Sequence, residues 1–226
     1  MFFIDPLYLM FALPGLVLAL IATARVKSTF HKYARYAASS RMTGAEAAQH
    51  VLAAEGIYDV KIEMTQGFLS DHYDPRSNTL RLSPDVYNSN SLSAIGVACH
   101  EAGHALQKAH DYAPLTARSA LVPLTSFGSQ LAMPVFMIGL FVQMPFLINL
   151  GIWLFIGVVA FAIVTLPVEW DASARAKALM VRAGVVSAQE QAHASKVLNA
   201  AFLTYVASAV SAILTLAYLL MVRDRH

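Results

Sequence analysis

Residues His100-Glu101-Ala102-Gly103-His104 place two imidazoles four positions apart, with a carboxylate directly after the first. On a helix, positions i and i+4 share one face, so both rings can reach a single cation. Glu101 then sits where it can meet a water activated by that cation. Two histidines and a glutamate in this order suit metal-assisted hydrolysis of a peptide bond.

A catalytic zinc takes three protein donors and keeps a further position for water. His100 and His104 supply two. The third must be a carboxylate or histidine that the fold brings back to the same place. Glu169, in Leu166-Pro167-Val168-Glu169-Trp170-Asp171-Ala172-Ser173, directly follows an apolar run and opens a polar one. It is the leading candidate. Asp171 competes for the role, and so does Glu190, which lies in a polar stretch and reads more simply as an exposed helix glutamate.

The composition shows what must carry these residues. The chain is 57% hydrophobic and 13% charged, with a mean hydropathy of +0.54. Soluble domains carry about 25% charged residues, so this is a membrane protein with a modest water-exposed part. A net charge of +2 argues against nucleic acid as a partner. With one cysteine, Cys99, no intrachain disulfide can form.

Four apolar segments are long enough to span a bilayer, at about 7–24, 121–142, 146–168 and 201–222. The first carries no Lys or Arg before it and is followed by Arg25, Lys27, Lys32 and Arg35. It reads as an uncleaved anchor, although Ala22-Thr23-Ala24 imitates a cleavage site. Ten of the 16 Lys and Arg lie from Arg25 to Arg118, and four more from Arg175 to Lys196. Basic loops stay on the cytoplasmic side. The expected topology is an outer N-terminus, cytoplasmic regions at about 25–120 and 169–200, and an outer tail whose Arg223 and Arg225 run against the rule. The chain reads as one membrane-integrated domain over 1–226, in the cell membrane, with the H-E-x-x-H residues facing the cytoplasm.

Within the first loop, Val26 to Ser40 reads as a basic helix leaving the membrane, with Phe30, Tyr33 and Tyr36 as interfacial aromatics. Thr43-x-x-Glu46 is a capping box, and the helix it starts ends near Gly56. Val60–Met64 alternates as a strand, Asp71–Asn78 has turn chemistry, and Thr79–Leu82 is a second strand. A β-hairpin therefore precedes the metal helix, which begins near Asn90 or Ser91 and reaches about His110. The strand at Thr79–Leu82 either offers an edge to an extended substrate or only packs on that helix. Cys99 reads as a small packing residue, and His110 lies off the metal-binding face. The fold class is mainly α: four transmembrane helices with a small α+β cytoplasmic metalloprotease unit carrying the H-E-x-x-H helix.

Several segments together resemble the YugP-type neutral zinc metallopeptidases. They are Val97-Ala98-Cys99-His100-Glu101-Ala102-Gly103-His104-Ala105-Leu106-Gln107, Asp71-His72-Tyr73-Asp74-Pro75 with Leu82-Ser83, Leu166 to Ser173, and Leu203-Thr204-Tyr205-Val206-Ala207. The resemblance runs from Gly44 to the last apolar segment. It implies a membrane-bound peptidase whose Zn2+ is held by His100, His104 and a later glutamate, here Glu169. The arrangement is also similar to HtpX-like membrane gluzincins. Those place an Asp four residues after the ligand Glu to orient a ligand histidine. Here that position is Ser173, so Ser173 or Asp171 takes the orienting role.

In such a site Glu101 is the general base. Tyr205, His193 and His72 are candidate donors to the developing oxyanion. The partners expected are the lipid bilayer and peptide or membrane-protein substrates. Two other classes compete. An intramembrane protease of the site-2 type would bury H-E-x-x-H in a span and use a later Asp-Gly pair, and the chain has no Asp-Gly. A non-catalytic zinc-binding membrane scaffold would not need Glu101. A transport path is hard to see, because the four spans hold almost no ionisable residues.

Overall fold

The computed structural model describes residues 6–225, which are mainly helical. The elements in order are α1 (Pro6–Tyr33), α2 (Gly44–Ala54), β1 (Lys61–Met64), β2 (His72–Asp74), β3 (Thr79–Leu82), α3 (Pro84–Tyr87), α4 (Leu92–Ala109), α5 (Ala113–Phe141), α6 (Pro145–Arg182) and α7 (Ala188–Arg223). The helices α1, α5, α6 and α7 are long and apolar enough to cross a membrane, and each overlaps one of the four segments expected from sequence. Pro14, Pro123, Pro134 and Pro167 lie inside helices. A membrane helix tolerates proline where its surroundings satisfy the carbonyl left without a partner.

The chain divides into two compact units. One takes Met1–Ala22, Thr116–Pro167 and Leu203–His226; the other takes Thr23–Leu115 and Val168–Phe202. The first unit has a small buried cluster of Phe136, Ile148, Ile152, Tyr218, Leu219 and Val222. Its helices approach closely where side chains are absent: a Cβ on Gly151 would lie 2.8 Å from the Phe136 backbone. Small residues at such crossings are how helices pack without a hydrophobic driving force. Met10, Leu13, Leu20, Phe127, Phe141 and Trp153 are exposed, far more apolar surface than water tolerates.

The second unit is built around α4. Ser91 caps its N-terminus by accepting from Ala94 N at 3.2 Å. The stretch after α1 lies against this start: Ala38 N donates to Asn90 O and Leu92 N to Tyr36 O. The helix is buried on almost every side, and small residues make that possible (Ala94, Gly96, Ala98, Ala102, Gly103, Ala105). The capping box at α2 is present, with Thr43 N donating to Glu46 and Glu46 N to Thr43.

Three expectations are corrected here. First, α1 ends at Tyr33 rather than near Ser40, and Phe30 and Tyr33 are buried in the core of this unit. Only Tyr36 of the three aromatics is exposed. Second, Val60–Met64 and Thr79–Leu82 do not form a hairpin. The sheet order is β1-β3-β2, with β1 parallel to β3 (Ile62 opposite Leu80) and β2 antiparallel to β3 (Tyr73 opposite Leu80). The polar run Asp71–Asn78 supplies both β2 and its turn. Asp74 accepts from Arg76 N and Ser77 Oγ, and Asn78 takes a positive φ of 50°. Third, β3 is the central strand, so Thr79–Leu82 has no free edge to offer.

Gly103 is where α4 meets α6. A Cβ there would lie 2.6 Å from the carbonyl oxygen of Ala172. The obstacle is the backbone of a helix, which cannot turn aside. Gly103→Ala is therefore expected to cost about 1–3 kcal/mol by overpacking. That corresponds to a fall of about 2–12 °C in melting midpoint, read by thermal unfolding of the purified protein in detergent.

Candidate metal centre

One stripe of α4, at positions i, i+3, i+4 and i+7, reads His100, Gly103, His104 and Gln107. A matching stripe of α6 reads Glu169, Ala172, Ser173 and Ala176. The two meet because Gly103 lets the backbones approach. Glu169 is 1% exposed, and its Oε2 lies 3.1 Å from His100 Nε2 and 3.6 Å from His104 Nε2. One donor atom from each of the three residues lies within 4.8 Å of the others. The imidazoles stand edge to face, with centroids 4.9 Å apart.

The outer faces of both rings are also held. Ser173 Oγ is 3.1 Å from His100 Nδ1, and Gln107 Oε1 is 3.0 Å from His104 Nδ1. Both Nε2 atoms are thus directed at the carboxylate. Burial disfavours a charged His104, but the hydrogen bond and charge of Glu169 outweigh it, and the pKa of the ring is raised; Glu101 and Gln107 add to this. Two bare ring nitrogens and a carboxylate oxygen turned to one point repel unless positive charge lies among them. A proton or a divalent cation meets that need. Two imidazoles and one carboxylate are a donor set that catalytic zinc takes, so the residues present fit the metal.

Glu101, on the same helix, is 8% exposed. Its charge acts on His104 and on Asp71. Asp71 accepts from Ser83 N at 2.7 Å and from Ser83 Oγ at 3.0 Å, and burial pushes its carboxyl above the ordinary value.

The remaining sequence candidates separate. Asp171 bonds neither histidine; its Oδ2 accepts from Gln107 Nε2 at 2.9 Å and from Arg175 Nε at 2.6 Å. Glu190 is no idle surface glutamate. It accepts from Ser39 N and Ser39 Oγ at 2.7 and 2.8 Å and from Ser187 N at 2.8 Å, so it ties the stretch after α1 to the start of α7. His193 stacks on Tyr33 at 5.2 Å. His72 Nδ1 donates to Ser70 O at 2.8 Å. Tyr205 lies on α7, within the first compact unit. His110 Nδ1 lies 2.9 Å from Arg175 NH1. Gln107 is the residue that sequence reading missed. It is fully buried, and its i+7 spacing from His100 was the available signal.

A family model described as "Putative neutral zinc metallopeptidase" matches residues 8–224 of the chain. The chain is also 43% identical over 216 residues to the protein described as "Putative membrane protease YugP" of Bacillus subtilis (strain 168), covering 96% of each. No solved structure matches it.

Cys99 precedes the first ring yet is fully buried, and burial pushes its thiol up to about 12. At pH 8 only about one part in ten thousand is thiolate, the reactive form. An alkylating reagent is expected to leave the folded protein unlabelled and to label it fully in denaturant, as read by intact mass.

Proposed function

Because the chain belongs to the neutral zinc metallopeptidase family matched over residues 8–224, we propose that it is a membrane-anchored zinc-dependent endopeptidase acting at the cytoplasmic membrane face. The observation that carries this reading is the donor set of His100, His104 and Glu169, gathered within 4.8 Å. Next to it in the chain stands Glu101, the residue that a purely structural metal site does not need.

His100, His104 and Glu169 would hold the ion. Zinc held there would supply a Lewis acid, able to make water a competent nucleophile at neutral pH and to polarise the peptide carbonyl. Glu101 takes the proton from the attacking water and passes it to the leaving amine nitrogen. Ser173 and Gln107 keep the two rings turned toward Glu169. Burial of Glu101, His104 and Glu169 keeps bulk water from weakening these electrostatic interactions.

The membrane setting is supported by the four long apolar helices and by the printed description of the relative. The cytoplasmic side is supported by the basic residues of 25–118 and 175–196. Glu169 directly follows the apolar segment 146–168. That position favours peptides or membrane proteins close to the bilayer as substrates.

The test uses the full-length protein in detergent with an unfolded protein as substrate, with and without a chelator. Glu101→Gln is expected to keep its zinc and to lose about 10²–10⁴-fold in turnover; normal turnover would remove Glu101 from its role. Glu169→Ala is expected to lower zinc content below one ion per chain, measured by elemental analysis. Wild-type protein that holds zinc and cleaves nothing would favour the scaffold reading.

A further inference from the structure

The side-chain amide of Gln107 faces three groups, and two of them can only accept. Its Nε2 lies 2.7 Å from the carbonyl oxygen of Val168 and 2.9 Å from Asp171 Oδ2. Asp171 Oδ2 already takes the Arg175 Nε–H at 2.6 Å. Both N–H groups of the amide are therefore spent on α6, and its orientation is fixed by chemistry. The third neighbour, His104 Nδ1 at 3.0 Å, faces Oε1, which can only accept. The proton of a neutral His104 must sit on Nδ1. That leaves Nε2, 3.6 Å from Glu169 Oε2, with a bare lone pair directed at the metal position.

His100 lacks this constraint. Its Nδ1 faces the hydroxyl of Ser173 at 3.1 Å, and a hydroxyl donates or accepts as required. Gln107 also holds the carbonyl of Val168, the residue before Glu169. One buried side chain thus touches the supports of two of the three donors.

We propose that Gln107 is a positioning residue, which locks His104 in its Nδ1–H tautomer and thereby sets the metal affinity of the site. The identity of the metal rests on the function proposed above, whereas the tautomer does not. A neutral ring with its proton on the wrong nitrogen cannot ligate through Nε2 until it rearranges. Partners of ligand histidines are commonly worth 10- to 100-fold in affinity.

The experiment compares full-length wild type, Gln107→Met and Gln107→Glu in detergent. Metal-free protein labelled with ¹⁵N-histidine is read by NMR at alkaline pH, and His104 is assigned by its loss in His104→Gln. Zinc affinity is read by competition with a chromophoric chelator. Wild type is expected to show His104 as Nδ1–H. Gln107→Met removes both the acceptor and the donors. It is expected to populate Nε2–H and to bind zinc about 10- to 100-fold more weakly. Gln107→Glu removes the donors to α6 but keeps an oxygen facing Nδ1. It is expected to retain the tautomer and to bind at least about tenfold more tightly than Gln107→Met.

An Nε2–H signature in wild type would overturn the proposal. So would unchanged zinc affinity in Gln107→Met, or equal losses in both variants, since equal losses mean that Gln107 only joins the helices. Should Gln107→Met fail to fold, the wild-type spectrum and the Gln107→Glu affinity decide the matter. Failure of wild type to bind zinc strikes at the proposed function, and the metal-free spectrum then decides the tautomer by itself.

Discussion

A carboxylate with 1% of its surface exposed, held 3.1 and 3.6 Å from two imidazole nitrogens, is the constraint around which the second compact unit is organised. Such a group is costly to bury unless opposite charge and hydrogen bonds surround it. The chain meets that cost with paired helix stripes. Gly103 removes the bulk that would hold α4 and α6 apart, and Ala172 and Ala176 keep the facing surface flat. Apolar burial around Ile95, Leu106, Val51 and Met180 then fixes α4 in place. The apolar core and the polar site are two sides of one helix.

The polar shell follows the same logic one layer out. Ser173 serves His100, Gln107 serves His104, and Asp171 with Arg175 serves Gln107. A buried polar network of this kind is rigid when every member is satisfied and expensive when one is not. The family resemblance led to the expectation of a single orienting residue at Ser173 or Asp171. The structure divides the work: Ser173 contacts a ring directly, and Asp171 acts at one remove, through an amide that sequence reading passed over.

The gathering of His100, His104 and Glu169 was legible because its chemistry is local. His100 and His104 are linked by helical period, and Glu169 stood out as the carboxylate at the end of an apolar run. The ends of α2 and α4 were legible too, since Thr43, Glu46 and Ser91 carry capping chemistry in their own side chains. The sheet was not. Its strands hold three or four residues each, and nothing in Lys61–Met64 announces a parallel partner across fourteen intervening residues. Phe30 and Tyr33 looked like interfacial aromatics because their neighbours are basic, yet the core claimed them. Gln107 was hidden by residue type. A glutamine on a helix reads as solvent-facing, and only the partners on α6 reveal why this one is buried.

The two halves of this cluster are made at different times. Glu169 follows His100 by 69 residues, and most of that interval is the apolar run of α5 and the first part of α6. A nascent chain that has emerged only as far as α4 displays paired imidazoles with no carboxylate to complete them. The ribosome must add α5 and the apolar first part of α6 before Glu169 exists. The cluster is therefore a late product of biosynthesis, and a chain interrupted before Val168 carries the histidines alone.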